Sequence, residues 1–233
     1  MQRRIIEQKL LHAELAGIGL DGANLKRFNE IAGELSKLST DFSNHVLDAT
    51  KAFALVLTEK EDAAGLPDSL LAMAVDAYNE AKNEDDAEAT PDDGPWRITL
   101  AAPSFGPFMQ HCKRRELREQ VFRAFVTRAS SGEWDNSGLI EQILKLREEQ
   151  AQLLGYDNHA QVSLATKMAP GVAAVEEMFE TLRSASWNPA QQDMDDLRKL
   201  AADAGETEPL THWDVAFWSE RLREARFDFT DEQ

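Results

Sequence analysis

The sequence predicts an all-α protein: a lobe of long packed helices, with at most one short strand segment near residues 96–101. Three observations carry this prediction. Apolar residues recur at alternating steps of three and four over most of the chain, the spacing of one helix face. Pro, Asn, Ser or Thr precede the apolar runs and Gly follows several of them, which is the punctuation of helix starts and stops. Alternation of the β type is convincing at one place alone, Trp96-Arg97-Ile98-Thr99-Leu100.

Taken in order, residues 1–15 read as an amphipathic helix from the first residue, through Ile5, Ile6, Lys9, Leu10 and Ala13. A chain that opens inside a helix is expected to have lost its natural beginning. Ala16-Gly17-Ile18-Gly19-Leu20 is a turn whose glycines can take positive φ. Leu25, Phe28, Ala32, Leu35, Ser39, Phe42, Val46, Ala49 and Phe53 then form one stripe of a helix about 30 residues long, roughly 45 Å. Such a stripe means packing against neighbouring helices. Pro67 or Asp68 opens the next helix, which runs to about Lys82. The acid-rich segment 83–95 lacks the D-x-D-x-D-G spacing of a calcium loop and reads as a solvated loop. After the strand, Pro103 and Pro107 break the chain before a helix from Met109 to Arg128. Asn136 or Ser137 caps a helix ending at Leu154, with Gly155 as its stop. A short segment from His159 to Lys167 leads to Pro170, which opens a long helix reaching Ala204. Thr211 caps the last, whose apolar face includes Trp213, Phe217, Trp218 and Leu222.

At 233 residues the chain can bury a real core. A net charge of −17 argues against nucleic acid as a partner, because phosphate binding needs clustered Lys and Arg, and it would repel anionic membranes. No apolar stretch approaches the roughly 20 residues that span a bilayer, and the N-terminus lacks the pattern of a signal peptide. The single cysteine, Cys112, excludes an internal disulfide framework and suits a reducing compartment. The expected location is cytoplasmic, with an organelle as the alternative, since a targeting segment can precede a chain that opens inside a helix.

Few residues could carry chemistry. The five histidines, His12, His45, His111, His159 and His212, never form H-E-x-x-H, the spacing that puts two imidazoles on one helix face around zinc. Cys112 follows His111, but neighbours on a helix point about 100° apart, which argues against a nucleophile and its base. There is no nucleophile elbow and no phosphate-cradling glycine loop. Lys113, Arg114, Arg115 and Arg118 make the one basic cluster, with Glu116 and Glu119 beside it, and salt bridges there are favoured over an anion site. No residue is therefore assigned a catalytic, cofactor-binding or metal-ligating role.

As whole phrases, the chain resembles the thimet oligopeptidase and oligopeptidase A family of zinc metallopeptidases. The matching phrases are Glu14 to Leu20, Glu34 to Leu38 and on to Phe42, Trp96 to Leu100, Arg114 to Arg118 and Ile143 to Arg147. Ala151-Gln152-Leu153-Leu154-Gly155-Tyr156, leading to Lys167-Met168-Ala169, weighs most, and the ordered set extends from about residue 3 to 230. The resemblance implies a helical enzyme with two lobes around a channel that admits short peptides and keeps folded proteins out. It implies a zinc held by the two His of H-E-x-x-H and a downstream Glu, with the motif's own Glu as general base. Those residues belong to the C-terminal half of the family, and none has a counterpart here.

The resemblance divides the chain into 1–210, a helical N-terminal-lobe fragment forming channel wall, and 211–233, the truncated start of the catalytic half, where Thr211-His212-Trp213-Asp214 resembles the approach to that half. The expected function is a non-catalytic part of a zinc-dependent metalloendopeptidase acting on short peptides, without membrane or nucleic-acid partners. The alternative is a stand-alone, non-catalytic helical protein that binds a peptide or a protein partner. If the catalytic half is missing, it should dock on an exposed apolar face, and Trp187, Trp213, Phe217 and Trp218 are the candidates. The end of the chain, Phe229 to Gln233, reads as mid-pattern and uncapped.

Overall fold

The computed structural model describes residues 2–227. In chain order the elements are α1 (Gln2–Leu15), α2 (Gly22–Ala52), β1 (Leu55–Leu57), α3 (Lys60–Ala63), α4 (Asp68–Ala81), β2 (Trp96–Ile98), α5 (Ala102–His111) and α6 (Arg115–Val126). A 3-10 turn (Gly132–Trp134), α7 (Ser137–Leu153), α8 (His159–Leu164), α9 (Val172–Asp203) and α10 (His212–Phe227) complete them. The fold is mostly all-α, as predicted. It divides into two compact units, residues 1–45 with 130–188 (unit 1) and residues 46–129 with 189–233 (unit 2). The end of the chain expected to be uncapped lies outside the described residues.

In unit 1, α2 and α7 share a small core of Ile31, Leu38 and Leu146, flanked by Leu35, Leu139, Ile143 and Leu153. The helix is the one expected, and Phe28, Leu35, Phe42, Val46 and Ala49 of its expected stripe are buried or half-buried. Ile31 and Leu38 are buried in place of Ala32 and Ser39, which are exposed, as is Leu25. Both stripes obey steps of three and four. The observed one carries the large aliphatics, and burying a Leu or Ile yields about 2 kcal/mol where Ala or Ser yields little. Across the same pair of helices Arg27 holds Glu149 in a bidentate contact at 2.7 and 2.8 Å. Of the two expected caps, Asn136 holds the N-cap position of α7, but it is buried and its side chain makes no capping bond. Its amide donates to the Phe42 carbonyl at 3.1 Å and its oxygen meets His45 Nδ1 at 2.9 Å, while Asp135 accepts from the Ser137 amide at 2.9 Å. The turn after α1 needs Gly17, which sits at φ +84° with the Phe28 ring 2.8 Å from where a Cβ would stand.

Unit 2 holds the larger core: Leu57, Leu70, Val75, Trp96, Ile98, Leu100, Phe108, Met109 and Val121 belong to one cluster. The predicted strand has a partner that the sequence reading missed. β1 pairs antiparallel with β2, Leu55 opposite Ile98 and Leu57 opposite Trp96. Three residues directly after a long helix give no usable period, although a lone strand could not satisfy its backbone groups. The predicted 109–128 helix is also corrected. Pro103 lies in the first turn of α5, where its missing N–H costs nothing, and Pro107 lies inside α5. That helix ends at His111, Cys112 takes an extended conformation, and α6 begins afresh at Arg115. α4 packs on β2, α10 packs on α5 and α6, and a second small core joins Leu197 and Ala201 of α9 to Trp218. In the acidic segment, the Asn79 side chain holds Ala89 by both its amide (2.8 Å) and its carbonyl (3.2 Å).

Candidate functional site

The groups that could carry chemistry are dispersed. Among the described residues no three or more His, Cys, Asp or Glu side chains are placed to share a metal ion. His45 is engaged by Asn136, His111 Nδ1 lies 3.2 Å from Arg221 Nη2, and His12 and His212 are exposed. His159 is half-buried with Nδ1 unpartnered, and burial together with Arg147 and Lys167 lowers its pKa, which favours the neutral ring. Cys112 is fully buried, and burial pushes its thiol up to about 11, far from a working nucleophile.

The densest polar arrangement joins the start of α6 to the start of α10. Arg115 and Arg118 stand three residues apart, on one helix face. Both reach Asp214: Arg118 Nη2 at 2.8 Å and Arg115 Nη2 at 2.8 Å. Asp214 has no solvent exposure, and Arg118 is 2% exposed. Burial alone would raise the Asp214 pKa, but hydrogen bonds from Arg115, Thr211 and Arg118 outweigh it and hold the carboxyl at about 2. Thr211 donates to Asp214 with its amide at 2.9 Å and its hydroxyl at 2.8 Å, so the carboxylate also caps α10. Arg118 further donates to the Cys112 carbonyl at 2.8 Å and stacks 4.3 Å over Phe217. The basic cluster of the sequence thus forms salt bridges, as favoured, but the partner that matters is 99 residues from Arg115, not the adjacent glutamates. Arg114 does take Glu116, whereas Glu119 pairs with Arg123.

Beside this cluster lies a cleft of about 670 Å³, lined by Arg115, Glu116, Glu119, Glu206, Glu208 and Trp213 among others. Its one basic group is committed: Arg115 donates to Glu208 at 2.5 Å and to the Pro209 carbonyl at 2.8 Å, besides Asp214. The arrangement has neither a free cation for an anionic ligand nor a nucleophile with an oriented base. Its chemistry is that of a clamp that sets where α10 begins.

In unit 1, a cleft of about 740 Å³ is lined by Leu11, Tyr156, Gln161 and the segment 164–173. Tyr156, Lys167, Met168 and Ala169 among them belong to the phrases on which the family resemblance leans most. Gly155, at φ +80°, closes α7 with bonds from the Gly155 amide to the Gln152 carbonyl (3.0 Å) and from the Tyr156 amide to the Ala151 carbonyl (2.9 Å). The chain then re-enters helix at Asn158, whose side chain accepts from the Gln161 amide.

The aromatic docking face is corrected. Trp187 is exposed, but Trp218 is buried, Trp213 is half-buried against Phe122, and Phe217 packs edge-on to Trp218 at 5.2 Å. α10 turns these three rings into the core of unit 2. The exposed apolar residues include Met178, Phe179 and Leu182 on α9 and Ile5, Ile6 and Leu10 on α1, beside scattered ones such as Ile18, Leu144 and Met168. The three-and-four spacing of 175, 178, 179 and 182 was legible; that no neighbour covers them was not.

Comparison with known proteins adds a family. Residues 108–233 match the family model described as Peptidase family M3. The whole chain is 51% identical to a probable cytosolic oligopeptidase A of Arabidopsis thaliana, spanning 33% of that protein. It is 50% identical to the organellar oligopeptidase A, chloroplastic/mitochondrial, of the same organism, again over 100% of this chain and 29% of the relative. Against the oligopeptidase A of Escherichia coli K12 the identity is 38%, over 100% of this chain and 33% of the relative. The chain spans about a third of the length of the relatives it matches.

Proposed function

Because this chain belongs to peptidase family M3, we propose that it is a non-catalytic helical part of a zinc-dependent oligopeptidase, forming wall of the channel that admits short peptides. The observation that carries the proposal is the continuous match over all of this chain and about a third of oligopeptidase A relatives, joined to a structure whose described residues offer no metal-sharing cluster. The described residues offer no set of side chains that fits a zinc ion. On this reading the metal and its general base belong to the polypeptide that makes up the rest of the peptidase.

What this chain contributes on that reading is rigidity and exclusion. Long helices make a wall whose shape admits an extended peptide and turns away a folded domain. The Arg115–Asp214–Arg118 clamp fixes the start of α10, and residues 211–233 are proposed as the entry to the catalytic half. That half is proposed to dock on this lobe. Among the described residues no helix is long and apolar enough to cross a membrane. Cytoplasm is the proposed compartment; with near-equal identity to a cytosolic and an organellar relative, an organelle is the alternative.

The test compares this chain with the intact peptidase on a quenched-fluorescence peptide of about ten residues and on a folded protein. The chain alone should bind no zinc by calorimetry and cleave neither. The intact protein should cleave the peptide and not the folded protein, and a chelator should stop it. Chelator-sensitive cleavage by the 233-residue chain alone, or an intact protein inert on peptides, would sink the proposal.

A further inference from the structure

The first half of α9 is a helix without a covered face. From Glu176 to Asp193 no described side chain is buried or even half-buried. At 100° per residue, Met178, Phe179 and Leu182 fall within about 100° of arc, continuing the line of the half-buried Val175. Glu176, Glu177, Glu180 and Arg183 occupy other sides of the helix, with Arg183 paired to Glu180 at 2.6 Å. Trp187 is about 140° round from Leu182 and lies off the apolar line. Helices in proteins draw most of their stability from packing an amphipathic face, and over these eighteen residues no face is covered. The stripe is amphipathic in the manner of a helix that packs.

Farther along the same helix, Leu197 and Ala201 are buried against Trp218 of α10. Between the two ends of α9 the same face carries Ser186, Pro189, Asp193 and Asp196, so Met178, Phe179 and Leu182 form an apolar patch of their own. Unit 1 also has little core of its own: its buried apolar side chains among the described residues are Phe28, Ile31, Leu38, Leu146 and Ala151. For about a hundred residues that is a small offset to the entropy of ordering. The occupant can be chosen on length. About two thirds of each oligopeptidase A relative has no counterpart in this chain.

We propose that Met178, Phe179 and Leu182 of α9 form the surface on which the remaining polypeptide of the peptidase packs, through an apolar face of its own. This rests on the reading of the chain as part of an M3 peptidase, and replaces the aromatic set on α10 as the docking surface.

Hydrogen exchange resolves it, measured on this chain and on the intact peptidase that contains it. Amides of residues 176–193 should exchange at least about 100-fold more slowly in the intact protein, while those of β1 and β2 keep similar rates in both. Phe179→Ser with Leu182→Ser should leave the helicity and melting of the 233-residue chain unchanged, since both side chains are exposed there. In the intact protein the pair should return 176–193 to fast exchange. Peptide cleavage by the intact protein with no added protection at 176–193 overturns the surface and spares the peptidase reading; absence of both overturns the two together. Protection that grows with the concentration of this chain alone assigns the face to a second copy and also overturns the proposal.

Discussion

Asp214 is the residue on which most of the polar chemistry converges. It accepts from two guanidiniums and from the Thr211 amide and hydroxyl, with no water contact. Removing its charge strands Arg118, itself buried. Asp214→Asn should therefore cost about 3–5 kcal/mol of unit 2 stability, read from urea denaturation, because an unpaired buried charge costs more than the pair ever gained. Replacing Arg118 by Met in the same molecule should recover much of the loss. The pH response has a definite sign. The folded carboxyl titrates at about 2, below its ordinary value near 3.9, so its contribution is present above pH 4–5 and is lost as the pH falls towards 2. The loss should reach about 2 kcal/mol and should be absent in Asp214→Asn. None of this was legible in the sequence beyond the expectation that the arginines near 115 would form salt bridges. A carboxylate 99 residues away looks like any other of the 42 acids until the chain folds.

At the scale of elements, the helices were readable and their faces only partly so. Gly155 as a stop and Pro67 as a start are local signals, and each is where the sequence put it; Thr211 stands just before α10, but the capping oxygen is that of Asp214, which accepts from the Thr211 amide. The α2 stripe is right at Phe28, Leu35 and Phe42 and wrong at Ala32 and Ser39, because Ile31 and Leu38 satisfy the same period. Ile31→Ala should cost about 2–4 kcal/mol in unit 1, and Ala32→Ser less than about 0.5, measured by thermal melting. Equal costs would return the stripe to the register first read. Gly17→Ala should cost at least about 1 kcal/mol in the same assay, since it combines positive φ with a Cβ driven into Phe28. The 109–128 segment failed differently. The sequence places the break at Pro107, yet α5 contains that proline, and the break falls at Cys112, where no proline stands.

For the whole molecule, the contrast between the two units carries the expectation. Unit 2 surrounds Trp96, Phe108 and Ile98 with helices on a short sheet, whereas unit 1 centres on three buried aliphatics. Native-state hydrogen exchange of the 233-residue chain should find the slowest amides in β1, β2, α4 and α5. Unit 1 should open at a free energy lower by about 2 kcal/mol or more. Uniform protection across both units would mean that the small core of unit 1 suffices and that its exposed helix faces need no cover.

By itself the sequence determined the helical class, most helix ends and the membership of a peptidase family whose metal motif this stretch lacks. Helical period and capping act over a few residues, and an ordered set of phrases survives any uncertainty about packing. Only the tertiary structure decided which register of α2 is buried, that Leu55–Leu57 finds Trp96–Ile98, that Asp214 meets Arg115 and Arg118, and that Trp213, Phe217 and Trp218 turn inward while Met178, Phe179 and Leu182 do not. Those outcomes join residues tens of positions apart. They are set by competition for burial among many possible neighbours, which no local pattern encodes.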